Sequence, residues 1–228
     1  MRTYKDIEYS LQKSARKTAS IYIERDGSVS LLVPESLDER QIEELIENKR
    51  RWIYTSLAEW NDLNSAGVQR SFVNGQGFLY LGRSYRLKIV DEQDLPLKLL
   101  NGHFCLRRSE LNEKTESVFR KYYRTKGSEL IPQRIAKFQD RMGVTTGVIR
   151  IQELGNRWGS CTNNGSVSFH WKCLMGPLSI IDYIVVHELA HLKHPNHSDA
   201  FWNEVDKVMP DYRDRKDWLR ENGASMTI

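Results

Sequence analysis

Cysteine is scarce in this chain. Cys105, Cys161 and Cys173 are odd in number among 228 residues and form no Cys-x-x-Cys pair. Neither a disulfide framework nor a cysteine zinc site is indicated, and reduced thiols point to the cytoplasm. Long apolar runs are also missing. The best candidate, around Ile180 to Leu192, is interrupted by Asp182 and His187, so no membrane span is expected. Met1-Arg2-Thr3-Tyr4-Lys5-Asp6 runs into polar sequence with no apolar core, so no signal peptide is expected either. Charge of one sign is weak. A net charge of +4 permits a small anionic substrate or nucleic acid without arguing for them. There is no internal repeat and no low-complexity segment. What remains, at 39% hydrophobic and 28% charged, has the composition of a soluble globular chain long enough for one domain or two modest ones.

The chemistry is concentrated between Ile180 and Phe201, in the run His187-Glu188-Leu189-Ala190-His191. A helix turns about 100° per residue, so His187 and His191 share a face and can reach one metal ion. Glu188 lies one residue round the helix, placed to touch a water held by that ion. This His-Glu-x-x-His spacing is the zinc-hydrolase pattern, with the glutamate as general base. Ser179 with Asp182 suggests a capping box that starts the helix after Pro177. Ile180, Ile181, Ile184, Val185, Val186, Leu189 and Leu192 are apolar on nearly every side, which predicts a buried helix. Pro195 is expected to end it.

His197 follows ten residues after His187, the spacing of a third zinc ligand, with His194-Pro195-Asn196 making the turn. Glu204 is the alternative third ligand and His194 a weaker one. Asp182, Glu204 and Asp206 are candidate acceptors for the free ring nitrogens of the ligands. The expected cofactor is one zinc ion, although imidazole suits other divalent metals.

Elsewhere, β-rich sequence surrounds one helix over the first hundred residues. Ile21 to Glu24 and Ser28 to Val33 flank the turn signal Asp26-Gly27. Ser36 with Glu39 opens a helix carrying Ile42, Leu45, Ile46, Trp52, Ile53 and Leu57 on its apolar face up to Trp60. Its charged face, with Glu43, Glu47, Arg50 and Arg51, reads as solvated. A polar connection, Asn61 to Arg70, precedes strands at Phe78 to Leu81 and Tyr85 to Val90, around Gly82-Arg83. Another hairpin turns at Asn101-Gly102, between Leu97 to Leu100 and His103 to Leu106, where His103 reads as structural.

Helix is expected from about Glu110 to Met142, ending at Gly143, with a kink or break near Gly127 and Pro132. Within it, Arg120-Lys121-Tyr122-Tyr123-Arg124-Thr125-Lys126 either packs its tyrosines inward or grips a nucleic acid or phosphate. Short strands follow at Val148 to Leu154 and Ser166 to Phe169, with a turn at Asn163-Asn164-Gly165. The remaining helices begin at Ser198 and at Arg213.

Arg157-Trp158-Gly159-Ser160-Cys161, the His187 to His191 motif, His194-Pro195-Asn196-His197-Ser198, Phe201-Trp202 and Met209-Pro210-Asp211-Tyr212 form a series. It resembles the YgjP-like family of predicted zinc metallopeptidases, relatives of the SprT-like and WLM zincins. The resemblance implies a minimal zincin fold, His187, His191 and His197 as ligands, Glu188 as base, and Ser160-Cys161 on a strand near the site. On an edge, that strand would accept an extended peptide, which makes Arg157, Ser160 and Cys161 candidate substrate-binding residues. The other reading of this stretch is a tight turn with Trp158 in the core. Phe169-His170-Trp171 departs from the family's Phe-Asn-Trp and leaves His170 either as hydrogen-bonding support or as a polar group near the metal. Met209 resembles the methionine under some zinc sites, but reads first as a core methionine.

Together these readings predict an α+β chain: a β-rich region with one helix over 1–108 and a zincin-like, metal-dependent hydrolase domain over 109–228. The expected activity is zinc-dependent hydrolysis of peptides by a water that Glu188 activates. One alternative is hydrolysis of a non-peptide bond such as a nucleotide phosphoanhydride. Another is a non-catalytic module whose metal serves stability and whose N-terminal region binds a partner or nucleic acid.

Overall fold

The computed structural model describes the chain apart from residues 25–26, 65–69, 156 and 163 and the side chains of 59–64. The chain forms two compact units, Met1–Gly67 and Val68–Ile228. Helices and small sheets are mixed in the α+β manner expected.

The first unit holds β1 (Arg2–Tyr4), β2 (Ile7–Ser14), β3 (Ser20–Ile23), β4 (Val29–Pro34) and α1 (Glu39–Asn64). The sheet runs β1-β2-β4-β3, with β3 antiparallel to β4 as the hairpin signal predicts. Part of that turn, including Asp26, lies outside the described residues. Ile7, Tyr9, Val29, Leu31 and Val33 of the sheet meet Ile42, Ile46 and Ile53 of α1 in one core. The helix cap differs from the expected Ser36–Glu39 pair. The Asp38 carboxylate accepts the Gln41 N–H at 2.8 Å, and the Gln41 side chain accepts the Asp38 N–H at 3.0 Å. This is the same reciprocal device two residues later. Trp52, expected on the apolar face, is 47% exposed. The helix also continues through Asn64, into the stretch expected to be a connection. Its charged face is solvated as expected, with Glu47 pairing Lys5 and Arg50 pairing Asp6 at the surface.

In the second unit, β5 (Gly77–Tyr80), β6 (Arg83–Val90), β7 (Leu97–Leu100) and β8 (His103–Arg107) form a sheet in the order β5-β6-β8-β7. Asn101 and Gly102 take φ of 50° and 75°, the left-handed pair a two-residue hairpin needs. His103 stands exposed at that hairpin's end, its Nδ1 3.0 Å from the Asn101 carbonyl. The sheet shares a core with α2 (Thr115–Met142), where Phe78 and Phe119 rings lie 4.6 Å apart.

Helix α2 runs unbroken through Gly127 and Pro132 and ends at Gly143 with φ 59°. Gly127 serves close packing rather than a kink, because a Cβ there would lie 3.0 Å from Ile151 and 3.1 Å from Leu174. Tyr123 is fully buried and donates to the Leu79 carbonyl at 2.6 Å. Arg120 pairs with Glu116, and Lys126 with Glu129. The basic-aromatic segment therefore packs its tyrosines inward.

After α2 come β9 (Ile149–Gln152), β10 (Gly159–Cys161) and β11 (Val167–His170), in the order β10-β11-β9. Three helices complete the unit: α3 (Leu178–Ala190), α4 (Asp199–Val208) and α5 (Tyr212–Asn222). No helix among the described residues is long and apolar enough to cross a membrane.

Candidate metal centre

Ten of the thirteen residues of α3 are buried, as their apolar pattern predicts. The helix is anchored differently from expectation. Ser179 and Asp182 make no cap. Asp182, only 8% exposed, instead accepts two hydrogen bonds from the Arg134 guanidinium, at 2.6 and 2.7 Å. This bidentate pair ties α3 to α2. The helix also stops earlier than Pro195, at Ala190. His191 keeps helical angles at the C-cap (φ −65°, ψ −19°), so it still stands one turn beyond His187. Turns over 191–193 and a bend over 195–196 then lead the chain into α4.

That path places His197 against the other two histidines. One ligating nitrogen from each of His187, His191 and His197 lies within 4.8 Å of the others, and the Nε2 atoms of His187 and His197 are 3.0 Å apart. Two nitrogens on one tetrahedral ion at about 2.0–2.1 Å sit roughly 3.3 Å apart, so the 3.0 Å between His187 and His197 fits a shared ion, with His191 beside them. The protonation states fit as well. Burial pushes His187 down to about 3, helped by His191, His197 and Lys216. Burial lowers His191 and His197 too. Neutral imidazole is the form that binds metal.

The rings are held from several sides. Nδ1 of His191 lies 3.1 Å from the His194 carbonyl, which leaves Nε2 for the centre. His187 Nδ1 is buried and has no partner among the described residues. Phe201 packs against all three imidazoles at 4.6 to 5.0 Å between centroids. Trp202 stacks on His197 at 5.7 Å and 25°, and its other stacking partner is Tyr212.

Glu188 is 5% exposed, and burial pushes its carboxyl up to about 8 against the opposing charge of Arg157. It lies against β10, where a Cβ built on Gly159 would come within 2.6 Å of Glu188 Cγ and Cδ. β10 is an edge strand, paired antiparallel with β11 through Ser160↔Ser168 and Cys161↔Val167. Arg157 is exposed just before it, and Ser160 and Cys161 are half-buried on it. Burial raises the Cys161 thiol, and the Glu188 charge adds to that. Trp158 packs against the core, and its carbonyl accepts the His170 N–H at 2.9 Å.

Several candidates fall elsewhere. Glu204 and His194 are not among the converging groups. Glu204 accepts from Lys193 at 2.7 Å, and this bond lowers its pKa against the effect of burial. Asp182 and Glu204 are thus engaged with cations, and a backbone carbonyl serves His191 instead. His170 is buried and is not one of the converging groups. Its Nδ1 accepts the Lys172 N–H at 3.0 Å, so Nε2 carries the hydrogen directed at Glu153, 2.5 Å away. Glu153 also accepts the Trp171 indole N–H at 2.8 Å, so His170 is hydrogen-bonding support. Met209 is a buried core residue. Sequence reasoning missed the Gly159–Glu188 contact, the Arg134–Asp182 pair and Lys216. The only local hint was the glycine beside Trp158.

No curated protein matches the chain. Among solved structures it is similar to the crystal structure of the metallopeptidase zymogen of Pyrococcus abyssi abylysin, at 28% identity, over 40% of this chain and 91% of that one, with a TM-score of 0.37. The family described as YgjP-like, metallopeptidase domain, matches residues 17–222, nearly the whole chain and all of the centre. The three gathered histidines form a group able to hold a metal ion, and the chain belongs to this YgjP-like metallopeptidase family.

Proposed function

We propose that the chain is a zinc peptidase in which His187, His191 and His197 hold one zinc ion and Glu188 is the general base. The observation that carries this is the approach of three neutral imidazoles from two directions, with a buried carboxyl one residue along α3. Three nitrogen donors suit zinc, and three protein ligands rather than four characterise catalytic sites. When held by these three histidines, zinc would supply Lewis acidity for the scissile carbonyl and for water.

The chain's own residues do the rest. Glu188 accepts a proton from the attacking water on its carboxylate and returns it to the leaving nitrogen. An extended peptide adds to the outer edge of β10 by main-chain hydrogen bonds, with Ser160 and Cys161 beside it and Arg157 at its end. The three free cysteines suit a cytoplasmic location.

The test is Glu188→Gln in protein loaded with zinc, assayed on peptides and nucleotides in parallel. We expect full metal content and loss of peptide hydrolysis. Undiminished hydrolysis by the metal-replete variant overturns the role of Glu188. Release of phosphate from nucleotides with peptides untouched favours the phosphoanhydride alternative.

A further inference from the structure

Two cations near the centre lack the carboxylate partners that most of their neighbours have. On α5, Arg215 pairs with Asp211 at 2.7 Å, Arg220 faces Asp217 at 3.9 Å, and Arg213 lies over Tyr212. Lys216, on the same helix, has no acidic partner among the described residues. Its ammonium sits 4.9 Å above the Trp202 ring, and Trp202 in turn stacks on His197. Trp202 also meets His187 edge-on, with 5.9 Å between ring centroids, so the indole that carries Lys216 borders two of the three histidines. Arg157, just before β10, is exposed and also without an acidic partner among the described residues. Tyr212 and Trp202 wall the Lys216 side with aromatic surface.

An unpaired ammonium held over an indole is positioned by cation–π attraction while its three N–H donors stay free for an incoming anion. We infer that Lys216 is a specificity-determining residue that binds a carboxylate of the substrate on the His197 side, so that the site selects acidic peptides. This rests on the peptidase reading above. A substrate carboxylate there completes an ion pair and leaves the aromatic wall intact. A lysine or arginine side chain in its place meets like charge.

Binding and cleavage are measured separately. Full-length, zinc-loaded Glu188→Gln protein is titrated into fluorescently labelled random peptides of three sorts, rich in Glu, Gln or Lys, with anisotropy as the readout. Glu-rich peptides should bind up to about fivefold more tightly than Gln-rich ones at low salt, the scale of one partly exposed ion pair. The preference should shrink with salt. It should fall when Lys216→Met is added and turn toward Lys-rich peptides with Lys216→Glu. Equal binding of Glu-rich peptides before and after both substitutions overturns the inference. With Glu188 intact, the same pools report cleavage, and the loss in Lys216→Met should fall on KM. Binding selectivity without cleavage of any pool overturns the peptidase reading and leaves the carboxylate site standing.

Discussion

Gly159 Cα and the Glu188 carboxyl are in such close contact that a single added methyl would overlap the glutamate. The strand that borders the centre therefore also sets where its acidic group can lie.

Gly159→Ala should drive Glu188 out of place while the three histidines stay where they are. Overpacking of this kind costs about 1–3 kcal/mol of stability. A catalytic group displaced by about 1 Å can cost on the order of a hundredfold in rate. We expect kcat to fall by that order with metal content unchanged, measured on purified protein. Unimpaired turnover would show that the carboxyl has room to shift without consequence.

Asp182→Ala should be the most destabilising charge removal in the larger unit, because it strands Arg134. Breaking a buried ion pair costs about 3–5 kcal/mol. Arg134 is 18% exposed, so the low end is expected, read from urea denaturation midpoints. Replacing both residues by leucine should recover much of the loss.

The Lys193–Glu204 bond brackets the turn that delivers His197, and it has a pH signature. Glu204 is depressed below the ordinary carboxylate range. Its contribution is therefore complete above about pH 4.3, the unfolded value, and is lost as pH falls through the lower folded value. Lys193 is 36% exposed, so solvent screening limits the contribution to about 0.5–1 kcal/mol. The stability gap between wild type and Glu204→Gln should be constant from neutral pH down to the carboxylate range and close below it. A gap that persists in acid contradicts this.

Trp202→Ala should weaken metal binding by freeing His197, whereas Trp202→Phe should retain most of it through stacking. Competition with a chromogenic chelator gives both affinities. Equal affinities in wild type and the alanine variant would remove Trp202 from the support of the site.

Local chemistry explains what could be read in advance. The spacing of His187, His191 and His197, the Asn101-Gly102 turn and the Gly143 cap depend on residues within one or two turns of each other, and each is where its pattern predicts. Ser36–Glu39 and Asp38–Gln41 satisfy the same capping spacing, and only the path of the chain after Pro34 decides between them. Asp182 looked like a cap because its partner Arg134 is 48 residues away and carries no local mark. Separation in sequence likewise hid the contact of Gly159 with Glu188. Chain order likewise suggested grouping the 77–107 sheet with the N-terminal region, whereas its aromatics share a core with α2.

X-ray absorption at the zinc edge, on the loaded full-length protein, tests the three-imidazole centre most directly. We predict three imidazole nitrogens at about 2.0–2.1 Å in wild type and two in His197→Ala. An unchanged coordination shell in His197→Ala, or sulfur in the wild-type shell, would contradict it.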